Sequence, residues 1–323
     1  MTGIAASPLP SRARGRAALV LAGLLFGTTF LVVQGAVDRA GVLPFLAVRF
    51  VIGSAVLWPL ARRQAATPGE VRHGVLAGLT LLAGFVLQTA GLRSTTSAVS
   101  AFITYLLVVI VPLIGVARTR RAPAGNVLIG VGLAVTGLYL LSGGIAGIGR
   151  GEVLTMGAAF FFALHIVVLG EVSGHHDPIR LTMWQAVTVG LACLVPGAFA
   201  PGGYSFDAGV WFAAAFCGVG ATAVAFWCMT YAQRVVPESQ AAIILLLEPV
   251  SAAVLGALAG EALGLSGAVG AALILASVLV AELGGRGHPA AIGGELVLVH
   301  QDDGARDPVV DDGTGSEQPP SRD

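Results

Sequence analysis

Ten apolar runs occupy most of this 323-residue chain and restrict what it can fold into. Each run approaches the length of about 20 residues that an α-helix needs to cross a bilayer. Only 11% of the residues are charged and the mean hydropathy is +0.85, so the chain lacks the polar surface of a soluble domain. A soluble enzyme, a nucleic-acid-binding protein and a disordered scaffold are therefore excluded. The runs lie at 17–37, 43–60, 74–92, 98–116, 125–141, 153–170, 181–199, 210–232, 241–258 and 265–283.

The arginines between the runs predict the orientation of the chain. Twelve of them fall at the N-terminus, in alternate gaps and just after the last run, whereas the opposite gaps carry three. Because positive charge is retained on the cytoplasmic side, both termini are expected there, which requires an even number of spans. The composition has no lysine, which indicates GC-rich bacterial coding. We therefore expect a multi-pass protein of the bacterial inner (plasma) membrane.

The two ends of the chain differ from the apolar runs. Residues 1–16 form a short N-terminal segment that we expect to be cytoplasmic. Residues 284–323 are rich in Gly, Pro and Asp, and they carry too little apolar surface to fold alone. We predict that this segment is a disordered cytoplasmic tail.

Matching segments recur in the two halves at a shared offset. The Phe-Gly-Thr-Thr segment at 26–29 lies 136 residues before 162–165, and Arg49 lies 136 residues before Gln185. Five runs fall in each half, and because five is odd, the second half enters the membrane from the opposite side. The prediction is an all-α membrane protein of ten helices in two inverted five-helix repeats, 17–146 and 147–283. Inverted repeats commonly place a substrate at their interface, although duplication of a packing unit alone is the alternative.

Several short motifs stand at corresponding places in the halves. They are Gly-Leu-Arg-Ser-Thr-Thr-Ser-Ala at 91–98, Phe-Ile-Thr at 102–104, Val-Val-Ile-Val-Pro-Leu at 108–113, Leu-Glu-Pro at 247–249 with Gly256 and Gly260-Glu261, Phe-Gly-Thr-Thr-Phe at 26–30, and Arg49-Phe50. Together they resemble EamA-type members of the drug/metabolite transporter superfamily, although a Trp is usual where Phe26 stands. The resemblance covers 17–283. It implies ten helices and alternating-access movement of small metabolites or drugs, often export.

These observations predict a secondary-active transporter of a small metabolite or drug. The expected direction is efflux of amino-acid-like or other small organic solutes, with or without proton coupling; an importer of the same fold and a passive channel are alternatives. A membrane-embedded enzyme is disfavoured because the Gly-Leu-Ser-Gly segment at 264–267 is followed by histidines only in the tail. No cofactor, metal or nucleic acid is expected. The expected partners are a small-molecule substrate and the lipid bilayer, and a homodimer stays open.

Three ionisable side chains within the runs are candidates for the site. Glu248 is either a proton-titrating or cation-binding carboxylate in a central cavity, or a packing residue bonded to a neighbouring helix. Arg49 either binds a substrate carboxylate or extends towards the membrane interface. His165 is either a proton switch or an interhelical hydrogen-bonding residue.

Neutral side chains within the runs complete the candidates. A group of five polar residues either orients a small ligand or joins helices, and two tryptophans either stack on a substrate ring or lie in the interfacial belt. Two prolines are candidate hinge or kink positions. The polar group is Gln34, Gln88, Gln185, Thr104 and Tyr105, the tryptophans are Trp184 and Trp227, and the prolines are Pro112 and Pro249.

Overall fold

A computed structural model describes the apolar part of the chain, with gaps at several connections. The described residues are 11–119, 125–141, 143–144, 148–236, 241, 244–245, 247–260 and 263–283. Within them, helices are the only regular secondary structure. The predicted tail at 284–323 and Glu261 lie outside the described residues.

Twelve α-helices are delimited within the described residues, in addition to a 3-10 turn at Ser173–His175 and a π-helix. They are α1 (Arg12–Ala40), α2 (Val42–Ala61), α3 (Glu70–Gly91), α4 (Ser97–Thr104), α5 (Leu107–Thr119), α6 (Gly125–Leu141), α7 (Arg150–Val172), α8 (Pro178–Ala198), α9 (Ala208–Phe216), α10 (Phe226–Ala232), α11 (Leu247–Leu258) and α12 (Leu265–Leu283). Residues Cys217–Ala225 form a π-helix that joins α9 to α10 without a break. Capping residues in the sequence determine where several helices begin. Thr96 accepts a hydrogen bond from the backbone N–H of Val99, and Asp177 caps α8 just before Pro178.

Helix length and hydropathy agree with a membrane protein. Among the described residues, seven helical stretches are long and apolar enough to cross a bilayer: α1, α2, α3, α7, α8, and the composite stretches 97–115 and 208–232. Shorter apolar helices lie at 128–141, 247–258 and 265–277. Large apolar side chains are exposed on the outer helix faces, including Val135 at 62% and Leu191 at 60%. Such a surface suits contact with lipid rather than water.

The fourth apolar run departs from the single uninterrupted helix that was predicted for 98–116. It is interrupted at Tyr105 and Leu106, between α4 and α5. The backbone N–H of Tyr105 is shared between the carbonyls of Ala101 and Phe102, and that of Leu106 turns to Ile103. These tighter bonds interrupt the α-helix seven and six residues before Pro112, which lies within α5. The interruption therefore does not coincide with the predicted hinge proline.

The helices pack so that the two halves of the sequence interleave. The α2 helix packs along α8, α3 packs against both α7 and α8, and α1 packs against α11. A central apolar cluster is drawn from these helices and α10, and Phe26, Phe50 and Phe85 belong to it. At the periphery, α6 packs along α12. The centre of the bundle is thus built from both halves.

Close approach of α1 and α11 depends on Gly27. A β-carbon at this position would lie 2.6 Å from the carbonyl oxygen of Glu248, and it would also overlap the Ser251 side chain. Because the carbonyl belongs to the backbone, the helices would have to separate. We expect Gly27→Ala to cost about 1–3 kcal/mol of stability and to lower the unfolding temperature in detergent.

The matched control for this prediction is Gly35→Ala in the same helix. Nothing lies within 4 Å of a β-carbon built on Gly35. Alanine favours a helix over glycine, so the control is expected to keep or slightly raise the unfolding temperature. Equal unfolding temperatures for the two variants would contradict the close contact.

Candidate functional site

An internal cavity lies where the helices of the two halves meet. Its volume is about 70 Å³, which is room for about five water molecules. The wall combines aromatic and aliphatic side chains with a few polar and charged groups. The lining residues are Phe26, Thr29, Phe30, Arg49, Phe85, Gln88, Thr104, Tyr105, Leu107, Phe162, His165, Ile166, Phe226, Met229, Leu245 and Glu248.

Arg49 is the cationic group of the cavity. Arg49 is 2% exposed, and its Nε donates a hydrogen bond of 3.1 Å to the Thr222 hydroxyl. The guanidinium carbon lies 4.6 Å from the ring centroid of Phe85 and 5.4 Å from that of Phe50. These rings stabilise the cation. Arg49 therefore does not extend to the membrane interface, which was one of the two interpretations from the sequence.

Glu248 is the anionic group of the same cavity. It is the second residue of α11, beside Pro249, and it is close enough to Arg49 to interact with it electrostatically. The Tyr105 hydroxyl lies 3.4 Å from Glu248 Oε2 and also contacts the Leu245 carbonyl oxygen. Tyr105 comes from the interruption between α4 and α5, so the break in the fourth run positions a partner for the carboxylate.

Two further polar pairs reach the cavity. His165 is 2% exposed, and its Nε2 donates to Gln185 Oε1 over 2.8 Å. Gln185 lies behind the histidine on α8 and donates in turn to the Leu181 carbonyl oxygen. On the other side, Gln88 Nε2 donates to the Thr104 hydroxyl over 3.0 Å. These bonds fix the orientation of the polar groups that face the cavity.

Six of the candidates taken from the sequence are brought together, and others lie elsewhere. Those that line the cavity are Glu248, Arg49, His165, Gln88, Thr104 and Tyr105. Gln34 donates to the Thr95 carbonyl oxygen instead, which ties α1 to the α3–α4 connection. Trp184 donates to Glu70 over 3.3 Å, and Trp227 packs on Tyr231 with ring centroids 5.4 Å apart. Neither tryptophan is among the residues that line the cavity, so neither is placed to stack on a solute there.

Thr222 was missed by the sequence analysis. It lies in the π-helix Cys217–Ala225, whose wider turn directs its hydroxyl to Arg49. Such π-helical turns are frequent at functional sites. The surrounding sequence is a plain run of small apolar residues, so it carries no signal for the altered turn.

The five phenylalanines of the wall were also missed, because a phenylalanine in an apolar run has the same pattern whether it faces lipid or a cavity. Two of them, Phe85 and Phe162, pack edge to face with centroids 5.2 Å apart. Among the described residues, no three His, Cys, Asp or Glu side chains are grouped to hold a metal ion. The chemistry available in the cavity is therefore that of one cation, one carboxylate, one imidazole and aromatic faces.

Comparison with known proteins agrees with the resemblance read from the motifs. The sequence profile of the EamA-like transporter family matches residues 13–143 and again 149–282. Two proteins of Archaeoglobus fulgidus, each named an uncharacterized transporter, are similar to this chain. One is 30% identical over 266 residues, which cover 82% of this chain and 84% of the relative. The other is 29% identical over 269 residues, which cover 83% and 96%.

A protein of known crystal structure shares the fold. The two structures align with a TM-score of 0.64 at 20% sequence identity, over 85% of this chain and 99% of the other. At this identity the likeness concerns the fold alone.

Proposed function

Because the chain belongs to the EamA-like transporter family, we propose that it is a secondary-active carrier that exports a small organic solute by alternating access. The observation that carries the proposal is the cavity at the centre of the bundle, which combines the cation Arg49 with the carboxylate Glu248. Ionisable groups inside a membrane protein are costly unless they serve a pathway or a partner. A cavity that holds both signs of charge suits a solute that also carries both.

The proposed substrate is amino-acid-like. Arg49 would bind a carboxylate through its planar N–H groups, and Glu248 would bind a positive group. The phenylalanine faces would surround the apolar body of the solute, while Gln88 and Thr104 supply hydrogen bonds. His165 is proposed as a further polar contact, oriented by Gln185. The cavity volume of about 70 Å³ is smaller than the about 300–1,000 Å³ of ligand pockets, so binding requires the walls to move apart.

Proton coupling is proposed to reside at Glu248. A carboxylate that binds a proton in one step and a cationic group in another makes solute and proton compete for one site. The nearby Tyr105 hydroxyl can donate to the charged form of this carboxylate. Competition of this kind would exchange one solute for one proton.

The proposed topology is ten membrane helices in two inverted repeats at 17–146 and 147–283, in a bacterial plasma membrane. Two separate matches of one family profile, one in each half, support the repeats. The arginine distribution supports cytoplasmic termini. Inverted halves that enclose one cavity provide the symmetry on which alternating access depends.

Purified protein in proteoliposomes tests this function. Vesicles are loaded with an isotope-labelled extract of small bacterial metabolites, and the external medium is sampled over time. A carrier is expected to release one solute class saturably, and faster when unlabelled solute of that class is added outside. Release that is unsaturable and insensitive to external solute would indicate a channel. Release no faster than from protein-free vesicles, over metabolite and drug panels, would contradict the proposal.

A further inference from the structure

A second polar cluster, partly buried, lies at one end of the bundle, away from the cavity. It joins the α2–α3 connection to the start of α8. We name it the Glu70 cluster. Its members are Thr67, Glu70, His73, His176, Arg180 and Trp184.

The core of the Glu70 cluster is an ion pair between the halves of the sequence. Arg180 Nε lies 2.9 and 2.8 Å from the two carboxylate oxygens of Glu70, and its Nη2 contacts the same carboxylate. The side chains are 15% and 5% exposed, respectively. Arg180 Nη1 also donates to the Ala61 carbonyl oxygen over 3.1 Å. One arginine of α8 therefore holds the end of α2 and the start of α3 together.

Two histidines extend the Glu70 cluster. His73 Nδ1 lies 2.7 Å from His176 Nε2, and His176 Nδ1 lies 2.6 Å from the Thr67 hydroxyl. Thr67 also donates to Glu70 through its backbone N–H over 3.0 Å. In the hydrogen bond between the two histidines, one nitrogen donates and the other accepts. The bond can therefore form when one of the two imidazoles is protonated, but not when both are, because a protonated imidazole has no acceptor nitrogen.

The Glu70 cluster lies directly beyond the cavity along α8. Gln185, which holds His165 at the cavity wall, is five residues from Arg180, a rise of about 7.5 Å along the helix. Trp184, the neighbour of Gln185, donates to Glu70 over 3.3 Å. Two adjacent residues of α8 therefore contact the two sites: Gln185 contacts the cavity wall and Trp184 contacts the Glu70 cluster.

The ion pairs at the opposite end of the bundle are exposed, and a further link there is the 2.6 Å hydrogen bond from the Thr95 hydroxyl to Glu152. There Arg39 pairs with Asp207 over 3.3 Å and Arg93 pairs with Asp38 over 3.4 Å. All four of these side chains are at least half exposed. Exposed ion pairs contribute little to stability, whereas a buried pair resists separation.

We propose that the Glu70 cluster is the closed gate of the cavity on its own side, and that it separates when the cavity opens there. The proposal rests on the carrier function proposed above, since a static protein needs no gate. In the proposed topology this side is cytoplasmic. Glu70 and Arg180 lie at helix ends, so water can hydrate both charges when they separate. This hydration lowers the free-energy cost of opening the gate.

The direct test measures access to the cavity from each side. Ile166 lines the cavity and is replaced in an Ile166→Cys variant that also carries Cys193→Ala, Cys217→Ala and Cys228→Ala. In oriented membrane vesicles a charged, membrane-impermeant thiol reagent is applied to one face at a time. Adding Glu70→Gln leaves Arg180 without its charge partner, and we expect labelling from the Glu70 side to rise about tenfold or more.

The matched control is Asp38→Asn, which breaks an ion pair at the opposite end. It is expected to leave labelling from the Glu70 side unchanged. If Glu70→Gln leaves that rate unchanged while the protein stays folded, the Glu70 cluster is a static connection and the gate is refuted. A rise of equal size from both faces would also refute it, because general loosening explains such a rise.

A cross-link supplies a second, independent test. Thr67→Cys and His176→Cys, in the background that lacks Cys193, Cys217 and Cys228 and retains Ile166, are joined by a short bis-methanethiosulfonate, which forms a disulfide bond with each thiol and releases two sulfinates. We expect solute exchange in proteoliposomes to stop and to return on reduction. Unchanged exchange by the cross-linked protein would overturn the gate but not the carrier. A labelling response to Glu70→Gln with no solute exchange by any variant would instead contradict the carrier function, because labelling needs no substrate.

The histidine pair gives the gate an expected pH dependence. Burial in the closed gate lowers the pKa of His176, and the neighbouring His73 and His175 lower it further, while Glu70 acts in the opposite direction. Arg180 and Asp177 are the other charged groups near it. Since the pKa is depressed only while the gate is closed, the closed form is favoured above the ordinary histidine range and loses that advantage as the pH falls.

We therefore expect labelling of Ile166→Cys from the Glu70 side to increase between about pH 8 and about pH 5.5. His176→Gln should flatten the increase. His175→Gln, at an exposed position, should keep most of it, because burial and His73 still lower the pKa of His176. The same thiol reacts in each variant, so its own pH dependence cancels in the comparison. Identical profiles for the two variants would refute the role of His176.

Discussion

Replacing Glu248 with glutamine is expected to abolish solute transport driven by a pH gradient. Solute-for-solute exchange should continue at a lower affinity, because the amide no longer pairs with the cationic group of the solute. Glutamine keeps an oxygen that can accept from Tyr105, so the local geometry survives. It cannot bind and release a proton, so solute movement in one direction is no longer coupled to proton movement in the other. We expect the gradient-driven rate in proteoliposomes to fall by about 100-fold, as for the loss of a positioned proton-transfer group.

The control for this prediction is Asp38→Asn, which removes a carboxylate that is 62% exposed at one end of the bundle. It should transport at close to the wild-type rate. Unchanged gradient-driven transport and unchanged pH dependence in Glu248→Gln would remove Glu248 from the proton-coupling role. Loss of both gradient-driven transport and exchange would assign it to substrate binding alone.

Replacing Arg49 with methionine is expected to remove binding of carboxylate-bearing solutes. Losing one member of a buried charge pair in a complex costs about 2–5 kcal/mol, so affinity should fall by about 30-fold or more. Methionine fills similar space between Phe50 and Phe85. Because it leaves Glu248 without its cationic neighbour, the unfolding temperature is expected to fall as well. The measurement is the concentration of solute that half-saturates exchange, alongside the unfolding temperature.

Arg49→Lys refines the prediction for this site. Lysine keeps the charge but loses the planar N–H groups and the Nε bond to Thr222, so an intermediate loss of affinity is expected. Arg62→Lys, at an exposed position after α2, is the matched control and should behave as wild type. Wild-type affinity for carboxylate-bearing solutes in Arg49→Met would exclude Arg49 from the binding site.

Charged residues within apolar runs were the most informative part of the sequence. Glu248 and Arg49 stood out because a charge in the membrane needs a reason, and both line the cavity. The sequence pattern could not distinguish Gln88, which faces the cavity, from Gln34, which bonds a neighbouring connection. Both are amides within apolar runs, and only the helix rotation separates them.

Pairings between distant residues were beyond the reach of the sequence. Glu70 and Arg180 are 110 residues apart, and each alone has the pattern of an ordinary charge at a helix start. The Arg49–Thr222 bond joins residues 173 apart and depends on a π-helix that has no pattern of its own. Hydropathy indicates which segments can cross a membrane. It does not indicate which side of each helix faces the cavity, because that depends on how helices from both halves pack together.

Metabolite profiling of living cells tests the central claim, export through the Arg49–Glu248 cavity, most directly. Cells that express the wild type or Glu248→Ala at matched membrane levels are compared for small solutes in the cytoplasm and in the medium. Our account predicts that one class of small organic solute, bearing both a carboxylate and a cationic group, accumulates outside only with the wild type. Accumulation of that class inside the cells with the wild type would contradict export, and identical profiles for the two proteins would contradict the role of the cavity.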